Sequence, residues 1–120
     1  MIYKIIPEFE KDLKRLTKKY DTLPEDLENA RKYAIELFHF HNIDNNSIFA
    51  IPKYCTEKYK SYKVKKFACR SLKKKGNQSG IRVIYIYHEE SQTVTFIEIY
   101  HKNGQANENK RRIEDFFKKL

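Results

Sequence analysis

The opening run MIYKII is β-branched and aromatic and stops at Pro7, which predicts a first strand. From Pro7, Phe9, Leu13, Leu16 and Tyr20 recur at helical spacing, with acids at the start and lysines at the end, an order that suits the helix dipole. Thr22 followed by Glu25 has the form of a capping box and predicts a second helix, with Leu27, Ala30, Ala34, Leu37, Phe38 and His41 on one face. The two amphipathic helices are expected to pair as a hairpin over one side of a sheet. Residues 42–61 read mostly as loop: NIDNNS is turn material, and Pro52 holds IFAIPKY near the surface as an extended piece. Alternation from Tyr62 through YKVKKFACRSL predicts a strand, and the basic loop KKKGNQSG leads into two more, IRVIYIYH and TVTFIEIYHK. A closing helix follows from Asn107, its expected cap, with Ile113, Phe116, Phe117 and Leu120 on one face. The expected fold is α+β, in the order β-α-α-β-β-β-α, with an antiparallel sheet in one domain spanning 1–120.

Strand parity then sorts the polar residues. In the last strand Ile97 and Ile99 are expected to face the helices, which turns Glu98, Tyr100 and Lys102 to the other face. Lys63 and Lys65 share one side of their strand with Phe67 and Cys69, and Arg82 shares parity with Ile84, Ile86 and His88. If these strands are neighbours, Lys63, Lys65, Arg82, Glu98, Tyr100 and Lys102 converge on the uncovered face. Cations beside a ring on which a base can stack suit single-stranded RNA. A wet sheet face also carries Lys–Glu pairs for solubility alone, so parity leaves both readings open.

Composition sharpens this. Twenty-five Lys and Arg against sixteen Asp and Glu give a net charge of +9, which favours a polyanionic partner. No apolar run approaches the roughly 20 residues a membrane span needs. The N-terminus lacks the form of a secretory signal. Cys55 and Cys69 have neither CxxC nor zinc spacing, so free thiols and a cytoplasmic location are expected, with no metal and no cofactor.

The motifs YKVK at 62–65, SGIRVIY at 79–85 and FIEIYHK at 96–102, followed by a final helix, resemble the RelE/ParE superfamily of toxins from toxin–antitoxin pairs, and most of all its RelE- and HigB-like ribonuclease branches. The resemblance implies an mRNA interferase that acts on message, usually on the ribosome, and is silenced by a cognate antitoxin protein. It assigns the work to Lys63 and Lys65, Arg82, and Lys102 with His101 beside it. The family's stacking tyrosine near the C-terminus has no match, and Tyr100 or Tyr87 is expected to replace it. Two other readings remain: a ParE-type inhibitor of gyrase, and a non-catalytic member that binds RNA or antitoxin.

The chemistry can be stated from the residues. Metal-free RNA cleavage uses the 2′-hydroxyl as nucleophile and needs a base, cations for the charge on phosphorus and an acid for the leaving 5′ oxygen. A lysine is a base only if its pKa falls, which clustering with other cations promotes. Glu98 is the alternative base. Arg82 can fork onto two phosphate oxygens. His101 titrates in the useful range but points toward the helices. His39, His41 and His88 show no partner pattern. Lys74, within the lysines at 73–75, is placed to grip RNA phosphates without sequence preference.

Overall fold

The computed structural model describes residues 1–120. Its elements run β1 (Ile2–Ile5), α1 (Pro7–Thr17), α2 (Leu23–Ala30), a π-helical stretch Arg31–Glu36, α3 (Leu37–His39), β2 (Ile48–Cys55), β3 (Tyr59–Val64), β4 (Ile81–His88), β5 (Thr93–His101) and α4 (Lys110–Lys118). The five strands form one sheet in the order β1-β5-β4-β3-β2. β2 to β5 are antiparallel neighbours, while β1 runs parallel to β5. The α+β order expected from the sequence is present, with two corrections to the sheet. It is mixed rather than wholly antiparallel, because the helices carry the chain from β1 to the far edge and β1 pairs with the last strand instead of the next. And residues 48–55, expected to be loop, form a fifth strand. Pro52 is tolerated there because β2 is an edge strand, and the pairing with β3 is irregular between Ala50 and Cys55.

Pro7 at the first position starts α1, and Glu8 and Glu10 in its first turn complement the helix dipole. The capping box at Thr22 does not form. Instead the Thr22 hydroxyl donates to Asp26 (2.7 Å) and accepts from the backbone N–H of Ser71 (2.9 Å). Arg70 donates through Nε to Asp26 (3.2 Å), so this polar clasp ties α2 to the chain after β3. That chain is not strand: β3 ends at Val64, and Phe67 and Cys69 turn into the core. The π-helical stretch adds a residue to the turn, so Ile35 is fully buried and His39, rather than His41, reaches the sheet.

The helical layer from α1 to α3 covers one face, packing Phe9, Leu23, Leu27 and Ile35 against Val83, Tyr85, Phe96 and Ile99. Each such side chain contributes about 1.5–3 kcal/mol by leaving water. The other face was expected to be open and is not. α4 lies on it, with Ile113 fully buried against Ile84, Ile86, Ile97 and Tyr100. Ile97 therefore faces α4, not the helical layer. The cause is a bulge: Ile84 pairs with Glu98 and Tyr85 with Phe96, so Ile97 is an extra residue that resets the alternation along β5. α4 is capped by Asn109, whose side chain accepts from the Arg112 N–H (3.1 Å), two residues beyond the expected Asn107.

Candidate functional site

The end of the sheet around Arg82 is where α4 leaves polar side chains uncovered. Arg82 lies opposite Tyr100 on β5, and its Nη1 donates to the carbonyls of Lys65 (2.8 Å) and Ile81 (3.4 Å). A half-buried guanidinium held by two backbone oxygens keeps its remaining N–H groups in a fixed direction. Lys65 is exposed, makes no ion pair, and rests its ammonium 4.8 Å from the centre of the Phe49 ring. Phe49 pairs in register with Lys63, and Lys63 with Ile84, so Phe49, Lys63 and Arg82 belong to one face.

Lys63 is not free on that face. It forms an ion pair with Glu108, and both side chains are mostly buried. Burial opposes ionisation of Glu108, but the bond from Lys63 and the charges of Lys63 and Lys110 outweigh it and hold its pKa below the ordinary value. Glu98 is buried and already used. Its Oε1 accepts from the backbone N–H of Asn109 (2.8 Å) and its Oε2 from Gln105 (2.9 Å), so it anchors the start of α4. A carboxylate with both oxygens engaged under a helix is not placed to take a proton from substrate, which corrects the expectation for Glu98. The carboxylate that does stand beside a site lysine is Glu108, which lies in the loop before α4, where the sequence predicts the first turn of the closing helix.

Tyr100 is 3% exposed, so its ring is not an open stacking platform, and its buried hydroxyl has no hydrogen-bond partner. Burial, then the charges of Glu108 and Glu98, raise its pKa to about 12 although Arg82 opposes them, so the hydroxyl is neutral. Tyr87 is on the wrong face. It packs in the helical layer's core, stacked on His39 at 3.9 Å. The ring that is open on the Arg82 face is Phe49, 41% exposed. It lies in β2, where a loop is expected from the sequence; the alternation of Phe49 with Ile51 is the signal that marks it.

His101 faces the helical layer, as parity indicates, stacked on Tyr20 with ring centres 5.9 Å apart, and its Nδ1 accepts from the Asn103 N–H (3.0 Å). Lys102 is exposed just beyond β5, its N–H donating to the Gly80 carbonyl (2.9 Å). Lys74 is exposed in the loop between Phe67 and Gly80 and meets none of the others. The structure thus gathers Lys63, Lys65, Arg82 and Tyr100 on one face, with Lys102 at its border, and leaves Tyr87, His101 and Lys74 outside.

A five-stranded sheet with a helical layer on one face and a C-terminal helix on the other has a counterpart among solved structures. The crystal structure of the archaeal RelE–RelB complex from Pyrococcus horikoshii OT3 superposes with a TM-score of 0.51 at 13% sequence identity, over 84% of this chain and 93% of that one. The fold is RelE-like. No family model and no curated protein matches the sequence. Within the RelE-like fold the Arg82 face is formed by three successive antiparallel strands, so sheet register sets Lys63 and Arg82, while Lys65 and Lys102 follow directly on the ends of β3 and β5. No helix is long and apolar enough to cross a membrane.

Proposed function

We propose that this RelE-like chain is the toxin of a toxin–antitoxin pair and that it cleaves mRNA on the Arg82 face, inhibiting translation. The observation that carries the reading is the placement of Arg82 beside Lys65. The guanidinium is fixed by backbone oxygens, the ammonium is unpaired, and an exposed aromatic ring lies under it. The solved RelE is a complex with RelB, which supports an antitoxin as the second partner of this chain.

On this reading a phosphate sits against Arg82, whose free N–H groups take its non-bridging oxygens and the charge that develops on them. The neighbouring 2′-hydroxyl loses its proton to a base and attacks phosphorus. The bond to the 5′ oxygen breaks, that oxygen gains a proton from an acid, and a 2′,3′-cyclic phosphate remains. Lys65, an ammonium open to solvent on this face, gives the proton to the leaving 5′ oxygen. Glu108 takes the 2′-hydroxyl proton once its ion pair with Lys63 opens. Lys102 touches the strand at the border. Phe49 offers the face on which a base stacks.

Arg82→Ala is expected to lower cleavage by about 100-fold or more, the scale lost with one preorganised charge stabiliser. Its thermal stability should change little, since the main bond lost, to the Lys65 carbonyl, is exposed, and the one to Ile81 is long at 3.4 Å. Arg82→Lys keeps the charge and loses the fork, so a partial defect is expected. Expression of the wild-type protein alone should arrest translation and leave discrete mRNA 5′ ends in primer extension. Arrest with intact message and inhibited gyrase would establish a ParE-type target, and growth without arrest a non-catalytic member.

A further inference from the structure

A cavity of about 660 Å³ opens at the end of the sheet where the chain leaves β5. Its wall combines Lys19 and Tyr20 after α1, Leu72 and Lys75 from the basic loop, and His101 with Lys102. Three lysines line it and no carboxylate does. The cations come from three separate segments, so the fold, not a local charge run, brings them together. Their field is not neutralised within the cavity. The His101 pKa is lowered, by burial first and also by the charges of Lys19, Lys102 and Arg82, against a hydrogen bond to the Ser79 backbone carbonyl that raises it.

The floor is rigid. The Tyr20 ring stacks on His101, and Lys19 holds its ammonium 5.5 Å from the Tyr20 ring centre. Gly80, just before β4, has φ +83, and a Cβ there would meet the His101 ring at 3.0 Å, so the backbone lies close against the imidazole. Lys102 joins the cavity to the Arg82 face. Arg82 pairs with Tyr100, and Gly80 receives the Lys102 N–H two residues further along, a step of about 7 Å at the rise of a strand.

We propose that this cavity is a second phosphate subsite for a single-stranded polynucleotide, in which Lys19 and Lys75 join Lys102 around a phosphate that follows or precedes the one at Arg82. The inference rests on the RNA reading above and adds the path of the strand: from Phe49 and Lys65, past Arg82 and Lys102, to the end of α1. Leu72 and the Tyr20–His101 pair supply apolar surface for a sugar or base beside the phosphate.

The test uses uncleavable 2′-O-methyl oligoribonucleotides, a dinucleotide and a dodecamer, with binding measured over a range of salt. Lys19→Ala/Lys75→Ala should bind the dodecamer more weakly, and its slope of log K against log salt should fall by about 0.7, the step for a single phosphate that is no longer neutralised. Its dinucleotide binding should stay at the wild-type level. A control pair, Lys53→Ala/Lys58→Ala, removes the same charge from exposed positions outside the cavity and should keep the wild-type slope. An unchanged slope in the first pair, or equal falls in both, overturns the subsite, while loss of dinucleotide binding in Arg82→Ala would leave the Arg82 site standing. If the wild type binds neither oligonucleotide, the RNA reading fails and the subsite with it. If the first pair binds RNA normally but loses its antitoxin, the cavity belongs to a protein interface and the proposal is overturned.

Discussion

His39 lies with its ring on Tyr87, centres 3.9 Å apart, and its Nε2 2.8 Å from the Tyr85 hydroxyl. Burial lowers its pKa from 6.5 to about 4, because the charged imidazolium would lose its hydration among aromatic rings. The fold therefore binds the neutral form. The stability this gives is complete above pH 6.5 and is lost as pH falls from 6.5 through about 4, where folding has to compete with protonation of the unfolded chain. His39→Gln retains a hydrogen-bonding partner for Tyr85 and removes the titration. Urea midpoints of the wild type should thus fall more steeply than those of the variant across that interval, and parallel curves would show that His39 is not the titrating group. Nothing in the sequence points to this residue. Helical spacing puts His41 on the buried face, and only the extra residue of the π-helical stretch brings His39 in instead. Arg82 is legible for the opposite reason: an arginine among Ile, Val and Tyr in a strand has few structural uses, and parity alone gives its face.

At the scale of elements, α4 decides how much of the site is open. It is tied down by Glu98 at its start, by a Tyr54 hydroxyl donating to Glu114 (2.8 Å), and by Arg112, which donates to Asp12 of α1 (2.5 Å) and to the Ile97 carbonyl (3.1 Å). Asp12 is 5% exposed, and its other cationic partner, Arg15, lies largely in solvent at 3.5 Å. Removing Arg112 leaves a buried carboxylate poorly compensated, which costs about 3 kcal/mol. Arg112→Ala should show that loss in urea denaturation, and adding Asp12→Asn should restore part of it. Additive losses in the double variant would mean that the two side chains act separately. The sequence shows α4 as an amphipathic helix but not where its apolar stripe goes. Its place becomes fixed only through the β5 bulge at Ile97, which adds to the apolar surface on that face. β2 is hidden for a related reason: an edge strand with a proline and an irregular register carries a weak alternation. The same weak alternation hides Phe49, and with it the one open ring of the site.

For the whole molecule, both sheet faces are covered, so the antitoxin proposed above cannot simply lie on the uncovered face that strand parity predicts. What remains is a surface with a net charge of +9 and exposed apolar side chains at both sheet edges, Ile2 and Ile5 on β1 and Phe49 on β2. An edge strand with unpaired backbone groups accepts an extended segment, and an acidic one would meet the lysines beside it. Phe49 and Lys65 lie together on the β2 side, so a segment bound there would also cover the Arg82 face and silence it. Charge pairing across such a surface weakens within about 8 Å of screening at physiological ionic strength, whereas backbone pairing does not. Co-expression with the product of an adjacent reading frame should give a complex that survives purification at low salt and loosens at high salt. Phe49→Ala should weaken it further without altering the salt dependence, because it removes apolar surface and no charge. A complex indifferent to both changes would place the antitoxin elsewhere, and no complex at low salt would remove the toxin–antitoxin pairing itself.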